Sequence, residues 1–213
     1  MGRTSDTKEK LLQVAFDLIH TQSYGAVGVE QICTRAGVNK GSFYYYFKSK
    51  NALAAAAFEA HWRSRLANYE QLFAPAFPPR ERLRRWCDYV RSIQRGWVEQ
   101  YGHVCGCPYS SVGGELAAQD RKVQAKTRDL INRQVEFLAA AIRDAQAAGD
   151  AAPGEAEAKA RLVHAFVIGL LLRAKIFNDL KLLDRLEEGV FALSGTPLTL
   201  ATPGRRRAAA QRS

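Results

Sequence analysis

The sequence predicts an all-α protein of about nine helices, and three observations support this prediction. Apolar residues recur at helical spacing along almost the whole chain, beginning with Leu11, Ala15 and Leu18. No segment shows the sustained alternation of apolar and polar residues that a half-buried strand requires. Because 47% of the 213 residues are apolar, the chain is long enough to bury a sizeable helical core.

Helix start and stop signals place most of the helix boundaries. Asp6 followed by Glu9 indicates a capped start, and Ser49 is a suitable N-cap for a long fourth helix. The irregular stretch GHVCGCPYSSVGGE at residues 102–115 is expected to lie between helices, and the alternative is that Pro108 starts the next helix. The expected helices cover residues 6–22, 29–36, 40–47, 50–73, 83–101, 120–148, 155–178 and 181–193.

The stretch APAFPP at residues 74–79 contains three prolines and is the clearest break between subregions. We expect an N-terminal three-helix unit at residues 6–66, a larger helical domain at 67–194 and a disordered basic tail at 195–213. The tail has four arginines, no acidic residue and little to bury. The chain carries a net charge of +10, which is typical of polyanion binding or of a solvated surface.

Membrane and secreted classes of protein are not expected. The longest strongly apolar run, residues 163–172, is interrupted by His164 and is shorter than the roughly 20 residues that a spanning helix needs. The N-terminus lacks the apolar stretch of a secretory signal. Four cysteines in a chain of this size indicate reduced thiols rather than a disulfide framework. We therefore expect a cytoplasmic protein.

Three consecutive tyrosines lie on the short third helix, where successive residues cannot share one face. At about 100° per residue, Phe43 and Phe47 fall on one side of this helix with Tyr46 at its edge. Tyr45 lies near the opposite pole, and Tyr44 lies on its flank. Two aromatic rings are therefore expected to face the core, whereas two or three phenols face outward.

Large exposed aromatics beside Lys40, Lys48 and Lys50 favour a helix that enters the DNA major groove, where phenols reach phosphates and base edges. The second helix, the turn AGVN and the third helix then form a helix-turn-helix. Gly41 would allow close approach to DNA, and Lys50 is suitably placed for a phosphate. A plain three-helix packing unit with buried aromatics is the alternative.

The stretch AGVNKGSFYYYFKSKNAL, preceded by VGVEQIC, resembles the tetracycline-repressor-like (TetR) family of transcription regulators over residues 6–66. The resemblance implies a homodimer, with an N-terminal DNA-binding domain and a helical domain that binds a small ligand and dimerises through its last two helices. It implies that Tyr44 and Lys50 contact phosphate, that Ser42 and Tyr45 lie at base edges, and that Lys40, Gly41 and Tyr46 lie nearby. Gly28 departs from the family, which often has a capping Thr there.

The segment GCPYSSVGGELA at residues 106–117 resembles GCxxGxLxxEL in one branch of the family, whose members sense small, sometimes thiol-reactive, organic compounds. Aromatic side chains on the fifth helix could wall a ligand pocket, although a stripe at this spacing also fits a core. The candidate pocket residues are Trp86, Tyr89, Trp97, Tyr101, Cys105 and Cys107.

The sequence is compatible with several roles for Cys105 and Cys107: a redox switch, an electrophile sensor, half of a metal site or two buried residues. A one-residue spacer is too short for the usual zinc knuckle, and only His103 lies nearby, so no metal is expected. A thiol enzyme using Cys107 and His103 would leave the third helix unexplained. No cofactor and no other catalytic arrangement is indicated.

A broad apolar stripe on the eighth helix includes Leu162, Ala165, Phe166, Gly169 and Ile176. It fits either a dimer contact or a central core helix, because a helix with so wide an apolar surface needs burial on more than one side. The predicted function is a ligand-responsive DNA-binding transcription regulator, a repressor released from a palindromic operator by a small organic inducer. A thiol-based sensor is the alternative, and an enzyme is not expected.

Overall fold

A computed structural model of the chain describes residues 2–198, with side chains described from residue 6. The predicted all-α class is confirmed, because these residues contain nine α-helices, one 3-10 helix and no strand. None of these helices is long and apolar enough to cross a bilayer. The α-helices are α1 Gly2–Gln22, α2 Val29–Ala36, α3 Lys40–Tyr46, α4 Lys50–Leu72, α5 Pro79–Tyr101, α6 Pro108–Leu116, α7 Arg121–Ala147, α8 Ala156–Phe177 and α9 Leu186–Ser194, and the 3-10 helix is Leu180–Arg185.

Helices α1 to α3 form a small unit, here called the head. Ile32 of α2 and Phe43 of α3 are fully buried against α1, which supplies the fully buried Leu11. The left-handed Gly37, with φ 67°, ends α2 and turns the chain towards α3. The Asn39 side chain then accepts a hydrogen bond from the Ser42 amide at 2.7 Å and caps α3.

The long helix α4 connects the head to the remaining helices, here called the body. Its first turn is capped by the Ser49 hydroxyl, which accepts from the Ala52 amide at 3.1 Å. Phe58 and Trp62 are buried on α4, because the helix packs against α1 on one side and α7 on the other. A helix buried on two sides has no wide polar face.

Helix α7 lies at the centre of the body and packs against α4, α5, α6 and α8. Its buried face includes Leu130, Leu138 and Ile142, none of which is more than 1% exposed. Helices α8 and α9 pack together so closely that the Phe166 ring covers the bare backbone at Gly189. The apolar interior of the body is therefore built around α7 and the inner face of α8.

The first helix and the segment after the fifth helix differ from the predictions. Helix α1 begins at Gly2 rather than at Asp6, and the Asp6 carboxylate pairs with Lys10 along the helix instead of capping it. The expected loop at residues 102–115 contains α6, which starts at Pro108. Proline is favoured at this first helical position because its missing N–H has no intrahelical partner there.

The C-terminal part also differs. The single helix expected over residues 181–193 is a 3-10 helix followed by α9. Residues 195–198 of the expected tail pack onto the body, since Thr196 is buried and the Arg80 guanidinium donates to the carbonyls of Pro197 and Leu198. Residues 199–213 of the expected tail lie outside the described residues.

Close packing of α6 on α7 yields a stability prediction. A Cβ at Gly113 would lie 2.5 Å from Cγ2 of the buried Thr127, whereas a Cβ at Gly114 would meet nothing within 4 Å. We expect Gly113→Ala to lower the free energy of unfolding by about 1–3 kcal/mol through overpacking. Gly114→Ala should raise it by about 0.5–1 kcal/mol, since alanine favours a helix. Urea denaturation of both variants measures this, and equal effects would contradict the close packing.

Candidate DNA-binding surface and regulatory pocket

The outer face of α3 exposes two large aromatic side chains. Tyr44 is 58% exposed and Tyr45 is 77% exposed, whereas Phe43 and Phe47 are buried on the opposite face. The predicted division of the aromatic residues is therefore confirmed, with Tyr46 half-buried and packed against the core. The rejected alternative, in which all these aromatics are core residues, would have required burial of Tyr44 and Tyr45.

The other predicted contact residues at the start of α3 lie on the same surface. Gly41 and Lys40 are exposed, and Ser42 is half-buried. The Lys40 ammonium lies 3.3 Å from the Glu30 carboxylate of α2, in a pair whose two side chains are mostly solvent-exposed. Such exposed pairs contribute little stability, so the Lys40 ammonium can exchange this carboxylate for another anion at low cost.

Gly28 and Lys50 flank the helix-turn-helix, and the predictions about them differ in outcome. Gly28 caps α2 without any side-chain hydrogen bond, so the α2 cap is as weak as its residue type indicated. The Lys50 ammonium is occupied within the protein, because it donates to the carbonyls of Tyr24 at 2.9 Å and Val27 at 2.8 Å. It also lies 3.8 Å from the centroid of the Tyr24 ring, and burial lowers the pKa of Lys50. Its phosphate contact stays a prediction that would use the remaining N–H.

The turn between α1 and α2 is attached to the body by one carboxylate. Glu115, in the last turn of α6, accepts hydrogen bonds from the backbone amides of Tyr24 at 2.9 Å and Gly25 at 2.5 Å. A Cβ at Gly25 would approach this carboxylate to 3.0 Å. The position of α6 therefore determines where the α1–α2 turn is held.

Two further polar links join α4 to α7. The Asn51 side chain accepts from the Tyr24 hydroxyl and donates to Asp120, which caps α7. About two turns further along α4, the Glu59 carboxylate accepts from Lys126 at 3.0 Å and from Arg133 at 3.1 Å. These contacts fix the head against the α6–α7 corner of the body.

A partly open cavity of about 70 Å³ lies between helices α4 to α8 of the body. Of the six predicted pocket residues, Tyr89, Trp97 and Cys107 line it. The other three lie elsewhere: Trp86 is buried in the core, the Tyr101 hydroxyl faces Asp17 of α1, and Cys105 is buried beside the cavity without lining it.

The wall formed by α4 was not predicted. His61, Arg65 and Tyr69 line the cavity from positions i, i+4 and i+8 of α4. This spacing is the signal that could have identified the wall, because such residues share one helix face. The Tyr69 hydroxyl donates to Gln134 of α7 at 3.2 Å.

His61 connects the cavity to the head. Its Nδ1 lies 2.9 Å from the hydroxyl of Tyr109 on α6, and its ring stacks on Phe16 of α1 with a centroid separation of 3.9 Å. Burial, with a smaller contribution from the Arg65 cation, lowers the pKa of His61 to about 3, so the imidazole is neutral at physiological pH. Burial also raises the pKa of Tyr109, which keeps its hydroxyl protonated.

The surroundings of the two thiols do not favour the thiolate form. Cys105 and Cys107 are buried, and burial raises the pKa of both, against the weaker opposing effects of Lys175 on Cys105 and of Ser110 on Cys107. Helix α6 does start at Pro108, but its N-terminus does not overcome this burial. A high pKa leaves little thiolate at neutral pH. Within residues 2–198 no group of three potential ligands could hold a metal ion.

Family models match most of the chain. The model described as "Bacterial regulatory proteins, tetR family" matches residues 11–57, and the model described as "Tetracyclin repressor-like, C-terminal domain" matches residues 79–190. The chain belongs to the TetR family. It is therefore a DNA-binding transcriptional regulator, and the match at residues 79–190 assigns most of the body to the C-terminal domain of this family.

Named relatives and solved structures agree with this assignment. The transcriptional regulator AcuR of Cereibacter sphaeroides is 30% identical over 173 residues, which cover 79% of this chain and 76% of AcuR. The transcriptional repressor NemR of Escherichia coli is 25% identical over 202 residues, 93% of this chain and 96% of NemR.

Among solved structures, the reduced form of E. coli NemR matches 91% of this chain and all of its own chain, with a TM-score of 0.75 and 23% identity. A regulatory protein TetR from Rhodobacter sphaeroides matches 87% of this chain and 96% of its own, with a TM-score of 0.73 and 26% identity. The shared fold includes both the head and the body.

Lys50 and Lys48 form a matched pair for a test of the α1–α2 turn. Lys50→Ala removes two charge-assisted hydrogen bonds to the carbonyls of Tyr24 and Val27, and we expect a loss of about 2 kcal/mol in the free energy of unfolding. Lys48 is exposed and has no hydrogen bond or ion pair within the described residues. Lys48→Ala should therefore change stability by less than about 0.5 kcal/mol. Equal stabilities in chemical denaturation would show that the Lys50 bonds contribute nothing.

Proposed function

We propose that the chain is a homodimeric repressor that binds a palindromic operator in the cytoplasm and leaves it when a small organic ligand enters the body. Each α3 would lie in a major groove about one helical turn, ~34 Å, from its twin. The observation that carries this proposal is the exposure of Tyr44 and Tyr45 on α3, the capped second helix of the helix-turn-helix. The name of the NemR relative, a transcriptional repressor, supports repression rather than activation.

The proposal gives the residues of the α3 surface the roles that the TetR resemblance implies, and their exposure supports these roles. The Tyr45 side chain, with the greatest exposure on α3, would reach base edges together with Ser42, whose amide is already fixed by Asn39. Tyr44, at the flank, would donate to a phosphate, with Lys40 and Lys48 supplying positive charge nearby. Gly41 is exposed and adds no side-chain bulk, so it would permit close approach of the α3 backbone.

Dimerisation is supported by a stripe of uncovered apolar residues on α8. Leu162, Leu172 and Ile176 are between 55% and 69% exposed, and Ala165 and Gly169 lie between them at alternating spacings of three and four residues. This repeat is the seam of two helices that pack along their length. A second copy of the chain that buries the stripe would hold two heads on one face of the operator.

Operator binding is the test of this proposal. We expect DNA that flanks the coding region of this chain to be shifted in a mobility assay at a salt concentration that suppresses non-specific binding. Tyr45→Ala should weaken operator binding by about 10- to 100-fold and relax the preference at particular base pairs, because it removes a base-edge contact. Gln100→Ala, an exposed substitution on α5, is the matched control and should bind like the wild type.

Two results would contradict the proposal. If the wild type shows no sequence preference under these conditions, its DNA binding is only the non-specific attraction between a basic protein and DNA. Undiminished operator binding by Tyr45→Ala would mean that α3 does not enter the groove.

The dimer stripe yields a second prediction. Leu172→Glu places a charge within the stripe, and burial of an unpaired charge is unfavourable, so we expect a monomer with weak operator binding. Leu198→Glu makes the same change at an exposed leucine outside the stripe and should leave a dimer. Light scattering after gel filtration measures both masses. A dimeric Leu172→Glu variant would place the interface on another surface.

A further inference from the structure

The cavity has an unusual charge balance. Arg65 is the only residue among those lining the cavity that carries a formal charge at neutral pH, since the burial of His61 keeps its imidazole neutral. No aspartate or glutamate lines the cavity. A cationic ligand would therefore meet a like charge and no counter-ion, whereas an anionic ligand would meet the opposite charge.

The Arg65 guanidinium has no partner within the described part of the protein. It makes no ion pair and no hydrogen bond there, although the side chain is half-buried. Its neighbours one turn away on α4 are His61 and Tyr69, and neither can accept its charge as a carboxylate would. By contrast, the half-buried Arg133 of α7 is paired with both Glu59 and Asp129. Arg65 thus offers a free fork of N–H donors at the cavity wall.

Two hydroxyls add neutral donors to the same wall. The Tyr89 hydroxyl accepts from the Asn68 amide at 3.4 Å and can direct its own proton elsewhere. Tyr109 contacts His61 at 2.9 Å, and its hydroxyl proton points away whenever the His61 Nδ1 is the donor in that contact. In contrast, Gln94 is fully engaged, because it donates to and accepts from the Gly106 backbone at 3.1 Å and 3.0 Å. The groups without a partner therefore include two donors, the Arg65 guanidinium and the Tyr89 hydroxyl proton, beside the buried Nε2 of His61, whose role depends on the tautomer.

The remaining walls and the volume limit the ligand further. Val90, Ile93, Trp97, Pro108 and Leu171 give the cavity an apolar lining. A volume of about 70 Å³ is several times the minimum of about 10–15 Å³ that one water molecule requires, so the space suits a small ligand. A ligand that fills this space has one polar end and a short apolar body.

We propose that the inducer is a short-chain organic monocarboxylate, with its carboxylate held by Arg65 and the tyrosine hydroxyls and its carbon chain packed between α5 and α8. This inference rests on the proposed function for its regulatory meaning, but binding itself does not depend on DNA. A planar carboxylate matches the fork of the Arg65 guanidinium in a bidentate contact. A phosphate dianion fits less well, because a single cation and apolar walls would leave much of its charge unpaired.

Direct titration calorimetry on the full chain tests this inference. We expect sodium butanoate to bind, and butanamide, which has the same size without the charge, to bind at least about tenfold more weakly. Arg65→Gln should weaken butanoate binding at least about tenfold and leave butanamide unaffected. Arg65→Lys keeps the charge but loses the fork, so its affinity should lie between those of the wild type and Arg65→Gln.

The matched control is Arg95→Gln, which removes the same charge from an exposed position on α5 and should bind butanoate like the wild type. Circular dichroism melting verifies that the Arg65 variants fold. If Arg65→Gln does not fold, the comparison of butanoate with butanamide on the wild type decides the question. Equal binding of acid and amide, undiminished binding by a folded Arg65→Gln variant, or no binding of any straight-chain carboxylate from acetate to hexanoate would overturn the inference.

The operator assay separates this inference from the proposed function. If the wild type binds its operator and is released by a neutral compound but not by carboxylates, the proposed function stands and the proposed ligand class is wrong. If the wild type binds butanoate through Arg65 but shows no sequence-specific DNA binding, the carboxylate site stands and the proposed function is wrong.

Discussion

The packing of α4 against α1 on one side and α7 on the other is the constraint on which the rest of the structure depends. One continuous helix of 23 residues supplies the first capped turn beside α3, the centre of the apolar core and one wall of the cavity. The stack of His61 on Phe16 joins that wall to the head at a ring separation of 3.9 Å. Because close-packed interiors transmit displacements instead of absorbing them, a shift of α4 at the cavity moves the head.

Helix α6 provides a second connection of the same kind. Tyr109, in its first turn, lines the cavity and contacts His61, whereas Glu115, in its last turn, holds two amides of the α1–α2 turn. The bare backbone at Gly113 lets α6 lie directly on Thr127 of α7, which restricts the directions in which α6 can move. A ligand that favours one position of α6 therefore favours one position of the head by the difference in its affinity for the two positions.

The sequence predicted those parts of the site that depend on local periodicity. Phe43 and Phe47 face inward and Tyr45 outward because a helix of known phase requires it. The aromatic stripe on α5 fitted either a pocket or a core, and the structure divides it, with Tyr89 and Trp97 at the cavity and Trp86 in the core. The partners of Lys50 could not be predicted, because they are carbonyls of a turn more than twenty residues away. Arg65 was missed because α4 is buried on two sides, which hides the polar stripe that would mark a cavity wall.

Helix α6 was only an alternative to a loop in the sequence prediction, for a related reason. Gly113 and Gly114 lower its helix propensity, and only tertiary packing on Thr127 explains why one of these glycines is needed. The links from the α6–α7 corner to the head, made by Glu115, Asn51 and Glu59, are polar and partly solvent-exposed. Polar contacts of this kind exchange for water at a small cost in free energy, unlike the close-packed and mostly apolar core of each half. The joint can therefore rearrange while the head and the body keep their own packing, which a repressor that changes its head spacing requires.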